Sequence, residues 1–61
     1  MKFEYTGRQV YGAMWYKVIA EEGETLTENA IEEAIPNDIA PWGCRVEYNK
    51  GTEAMVKAYV D

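Results

Sequence analysis

The stretch Thr25-Leu26-Thr27-Glu28-Asn29-Ala30-Ile31-Glu32-Glu33-Ala34-Ile35-Pro36 decides how this chain is read. Leu26, Ala30, Ile31, Ala34 and Ile35 recur at helical spacing, while Glu28, Asn29, Glu32 and Glu33 fall on the other side. Thr25 and Glu28 have the Thr-x-x-Glu spacing of a capping box, which predicts a helix start there. Pro36 ends the helix, because proline lacks an N–H and disfavours helical geometry in the residue before it. A helix of about ten residues is too short to be stable alone in water, so it predicts a sheet to dock on.

The flanks supply that sheet. Before the helix, Phe3 and Tyr5 alternate with Lys2, Glu4 and Thr6, the period of a half-buried strand over Lys2–Val10. Tyr11-Gly12-Ala13 reads as the turn, with Gly7 as the alternative turn site. Met14–Glu21 is rich in aromatic and β-branched residues and reads as a second strand. After the helix, Gly43–Asn49 and Glu53–Val60 read as strands three and four, joined through Asn49-Lys50-Gly51-Thr52. Parity places Cys44, Val46 and Tyr48 in one row and Ala54, Val56, Ala58 and Val60 in another. Keeping the two rows on one face pairs Val46 with Val56 and implies a loop of three or five residues. The expectation is a single domain over residues 1–61, of α+β class. It is a four-stranded, mostly antiparallel sheet with one short helix on one face, in the order ββαββ. The strand order across the sheet is open.

One helix covers one sheet face, yet apolar residues occupy both parities. Met14, Tyr16 and Val18 alternate with Trp15 and Ile19, and Met55 and Tyr59 oppose the small row of strand four. Either Trp15, Met55 and Tyr59 form a second buried face, as a homodimer or docking surface, or the stems of Lys17, Arg45 and Lys57 cover them. Tyr5, Tyr11, Tyr16, Tyr48 and Tyr59 raise a further alternative, a base-stacking sheet.

Charge is segregated along the chain. Its 61 residues hold 11 acidic and 6 basic side chains, a net charge of −5. Between Val18 and Cys44 lie Glu21, Glu22, Glu24, Glu28, Glu32, Glu33 and Asp38, with no lysine or arginine. Glu24 and Glu28 suit a helix N-terminus. Glu28 and Glu32, four apart, repel by a few tenths of a kcal/mol, and the last turn has no basic residue to complement the dipole. These carboxylates predict a face for another protein with a basic surface, against the plainer reading of a solvated, solubilising side.

The inventory excludes much chemistry. Without histidine there is no Ser-His or Cys-His pair, and one cysteine gives neither a disulfide nor a structural zinc pattern. Glu21-Glu22-Gly23-Glu24 lacks the spacing of a calcium loop. No phosphate-binding glycine loop is present. The expectation is no catalytic residue, no cofactor and no metal, hence no enzyme. Met1–Tyr5 lacks a signal-peptide core, and the longest uncharged runs, Gln9–Tyr16 and Ile39–Cys44, fall far short of the ~20 residues of a membrane span. Cys44 is expected to be a small core residue in a reducing cytoplasm, and Trp42 to plug the core edge beneath the helix, with an exposed contact anchor as the alternative. Net charge disfavours nucleic acid as a partner. In size and composition the chain resembles small acidic phage proteins that inhibit host enzymes or defence systems, a likeness of type that rests on no motif. The expected function is therefore a protein-binding module of that kind, with self-association through the sheet as the first alternative and single-stranded nucleic-acid binding by a mildly basic sheet face (Lys2, Arg8, Lys17, Arg45, Lys50, Lys57) as the second.

Overall fold

The computed structural model describes residues 1–61. Strands β1 (Lys2–Val10) and β2 (Ala13–Ile19) form a hairpin, helix α1 (Glu28–Ala34) follows, and β3 (Cys44–Asn49) and β4 (Glu53–Tyr59) form a second hairpin. All pairings are antiparallel, in the order β1-β2-β4-β3. β4 inserts between β2 and β3, so α1 crosses over it to connect two parallel strands. The β2–β4 ladder is unbroken from Ala13↔Tyr59 to Ile19↔Glu53.

The core lies between this ladder and the helix. Val18, Ala54 and Val56 meet Leu26 and Ile31, all at most 2% exposed. Burial of each large member stabilises by roughly 2 kcal/mol. The helix begins later than the capping box implies. Thr27 is the N-cap, its Oγ1 accepting the Ala30 N–H at 3.1 Å. Leu26 then precedes the cap and Ile31 sits at the fourth helical position, the spacing of a hydrophobic staple. Leu26 is also tied to the β3–β4 turn. Its N–H donates to the Gly51 carbonyl at 2.8 Å, and its carbonyl accepts from Asn49 Nδ2 at 2.8 Å. Burying Leu26 here satisfies both of its backbone groups, and this outweighs starting the helix two residues earlier, at Thr25.

The two edge strands are irregular. In β1, Tyr5 pairs with Tyr16 and Gln9 with Met14, so Thr6-Gly7-Arg8 bows out opposite Trp15 alone. Thr6 Oγ1 donates to the Trp15 carbonyl at 2.9 Å and accepts the Arg8 N–H at 3.2 Å. Gly7, with φ +89°, is thus the apex of a bulge and not a turn. The turn is at Tyr11-Gly12, where Gly12 has φ +69° and its carbonyl accepts the Val60 N–H at 2.8 Å. In β3, Val46 pairs with Val56 as parity requires, across the expected three-residue loop. Tyr48 then pairs with Met55, leaving Glu47 extra. That bulge turns Tyr48 out of the row of Cys44 and Val46 and onto the opposite face.

The Thr27 cap is open to direct test. Thr27→Ala is expected to lower stability by about 1 kcal/mol. Thr25→Ala, at an exposed residue whose side chain caps nothing, is expected to change it by less than about 0.5 kcal/mol. Urea unfolding of both variants distinguishes the two starts.

Candidate functional site

The carboxylates of the acidic segment divide into two groups. Glu24 is structural. Its Oε1 accepts the Glu21 N–H at 3.0 Å and lies 3.1 Å from the Met1 ammonium. The amide hydrogen bond first, and the ammonium second, hold its carboxyl below the usual carboxylate range. Glu21 sits 3.8 Å from the same ammonium. Glu22, Glu28, Glu32, Glu33 and Asp38 are exposed and take part in no ion pair. Trp42 closes this segment. It is 73% exposed, not a core plug. Its backbone follows the sheet edge, with the Trp42 N–H donating to the Tyr59 carbonyl at 3.2 Å. The buried residue of this loop is the far smaller Ala40.

The sheet face away from α1 is the second candidate surface. Residues pairing across it place Trp15 on β2 beside Lys57 on β4, and Lys57 beside Arg45 on β3. The β1 bulge brings the Arg8 guanidinium to 4.4 Å from the Trp15 ring centroid, and Lys57 Nζ lies at 5.3 Å. Trp15 is consequently only 8% exposed. Lys57 also lies 5.5 Å from the Tyr59 ring, and Lys50 5.7 Å from Tyr48. Lys57 therefore covers the aromatics as the sequence suggests, joined by Arg8. Lys17 instead pairs with Glu53 at 3.3 Å. The two bulges frame a hollow of about 520 Å³, lined by Thr6 and Arg8 from β1, Glu47 and Tyr48 from β3, and Trp15 and Met55 as its floor. Of the expected sheet-face residues, Trp15 and Met55 meet in this hollow and Tyr59 lies beside Lys57. The five tyrosines do not form one platform. Tyr5 and Tyr16 meet on the helix side as a tilted pair, ring centroids 5.4 Å apart, Tyr11 is exposed at the first turn, and Tyr48 and Tyr59 belong to the open face.

Thr6 and Glu47 escaped the sequence reading, and Tyr48, counted among the sheet tyrosines, was set in the row of Cys44 and Val46; the meeting of these residues with Arg8 over Trp15 depends on the two bulges. The available signal was Gly7 within an otherwise regular strand, which marks an irregular edge. Cys44 is half-buried and free; burial first, and the Glu32 charge second, push its thiol up, away from nucleophilic use. No three Asp, Glu or Cys side chains converge as a metal site would need. No helix is long and apolar enough to cross a membrane. Comparison with protein-family models, curated proteins and solved structures finds no match.

The Glu24 tie predicts a pH dependence. Its folded pKa is lowered, so its contribution is complete above the unfolded carboxylate value and is lost as pH falls through the folded value. Glu24→Gln is expected to be less stable than wild type at neutral pH, with the two stability curves converging in acid. Urea unfolding across pH reads this, and parallel curves would contradict it.

Proposed function

We propose that this chain is a non-enzymatic protein-binding module whose carboxylate-rich helix side engages a basic surface on another protein. The observation that carries the reading is the set of five exposed carboxylates, Glu22, Glu28, Glu32, Glu33 and Asp38, with no basic side chain within 4.0 Å. The fold has little use for them. Glu28 and Glu32 repel along the helix, and the last helical turn carries no basic residue. A partner rich in lysine and arginine supplies the missing counter-charge, and electrostatic complementarity of this kind speeds and orients encounter. Exposed Trp42 provides an apolar anchor at the end of the same segment.

The concrete form of the proposal is a phage-type inhibitor of a host nucleic-acid-handling or defence protein. Its carboxylates would occupy a groove that otherwise receives phosphates. A reducing cytoplasm suits the unpaired Cys44.

Capture from bacterial lysate, washed at low and high salt, should yield one dominant basic-grooved protein, retained at low salt and released at high salt. Against that purified protein, Glu28→Lys/Glu32→Lys is expected to weaken binding at least about tenfold, or ~1.4 kcal/mol. Trp42→Ala is expected to weaken it by about 2 kcal/mol while changing stability by less than about 0.5 kcal/mol. Unchanged affinity in the double variant would remove the helix side from the interface.

A further inference from the structure

The open sheet face carries an arrangement that the fold does not explain. Arg45 and Lys57 are direct cross-strand partners on one face, a placement where like charges destabilise a sheet. Neither has a carboxylate within 4.0 Å, and nor does Arg8, whose guanidinium is stacked on Trp15. Arg8, Trp15, Lys57 and Arg45 thus form one row across all four strands, with three uncompensated cations. Beside the row lies the bulge-framed hollow. Its wall includes Tyr48, 42% exposed, and one carboxylate, Glu47. The face as a whole sets six basic residues against Glu4, Glu47 and Glu53, a local charge of +3 on a chain of net charge −5. The acidic segment is on other elements. Even the smallest molecular extent, 15 Å, exceeds the Debye length of about 8 Å at physiological ionic strength.

A ligand that satisfies this set needs an anionic group for the cations and a planar ring for the aromatic hollow. It also needs an N–H donor for Glu47. An acidic peptide such as oligoglutamate brings anionic groups and backbone N–H donors but no planar ring, and its carboxylates are repelled by Glu47. A nucleotide whose base carries an exocyclic amine meets all three. Bases stack on tyrosine and on guanidinium planes, a carboxylate accepts from cytosine N4, and phosphate is neutralised by arginine and lysine.

We propose that the hollow between the β1 and β3 bulges binds an amino-bearing nucleotide, as a free unit or within a single strand. The base lies against Tyr48 and Arg8 with its amine toward Glu47, and the phosphate lies on Lys57 and Arg45. This site is on the opposite face from the protein-binding surface proposed above and stands or falls separately from it.

The test uses the full chain with fluorescently labelled eight-nucleotide oligo(dC) and oligo(dT), measured by anisotropy, and unlabelled cytidine monophosphate as competitor. Oligo(dC) should bind more tightly than oligo(dT), losing roughly an order of magnitude in affinity between 50 and 200 mM salt, as release of about three counterions from a single strand requires. Glu47→Gln should abolish the dC preference. Arg45→Gln/Lys57→Gln should weaken both oligonucleotides alike, with a thermal melt confirming that the variant is folded. Should that variant unfold, Arg45→Gln alone reads the same loss, since Arg45 covers no ring. Competition by the mononucleotide assigns the site to the free unit, and its absence assigns it to the strand. No binding by either oligonucleotide at 50 mM salt would overturn the proposal. So would equal affinity for dC and dT, or displacement by oligoglutamate as effective as by oligo(dC). Loss of binding in Glu28→Lys/Glu32→Lys would place the contact on the helix side and overturn it too.

Discussion

A seven-residue helix can cover only one face of a four-stranded sheet, and most of this molecule's character follows from that shortage. On the covered face the solution is ordinary packing. Ala54, Val56 and Ala58 keep the central strand low, so Leu26 and Ile31 approach closely and exclude water. On the other face no second layer exists. The largest side chain there, Trp15, is shielded by its own sheet, through the Arg8 and Lys57 side chains laid over its ring.

That way of covering tryptophan sorts the charges. Long cationic side chains have apolar stems and heads that favour an aromatic face, so the basic residues collect on the open side of the sheet. Seven of the eleven acidic side chains are left to the helix and its loops, where solvent receives most of them. A chain of net charge −5 therefore presents two surfaces of opposite sign. The acidic one faces outward from the helix layer with Trp42 at its end. The basic one surrounds a hollow framed by the bulges of the two edge strands, which fall at neighbouring but not identical levels of the sheet. Bulges sharpen local twist and re-aim side chains; here the β3 bulge turns Tyr48 to a face that regular alternation would have denied it, and the β1 bulge sets Arg8, on that face by alternation, over Trp15.

The elements were legible because they depend on local pattern. Period-two alternation from Lys2, the apolar stripe ending at Pro36 and the parity match of Val46 with Val56 are properties of neighbours in sequence. The helix start was misread by two residues, since Thr25 and Thr27 offer equivalent hydroxyls. The choice between them was made by Leu26, whose backbone is held by Gly51 and Asn49 from the far hairpin. Trp42 was misplaced for a similar reason. The sequence shows a large apolar ring beside a proline, but not that the ring is left in solvent while the small Ala40 is the residue buried in this loop.

The sequence by itself determined the α+β class, the order of strands and helix, the register of Val46 against Val56, and the segregation of carboxylates into residues 21–38. Each follows from spacing along the chain. Only the tertiary structure decided the strand order β1-β2-β4-β3, the exposure of Trp42, and the assembly of Arg8, Trp15, Lys57 and Arg45 into one row. These depend on which edges pair and where a strand gains an extra residue. The free energies that decide them arise between residues such as Ala13 and Tyr59, far apart in the chain, where local propensity and periodicity carry no information.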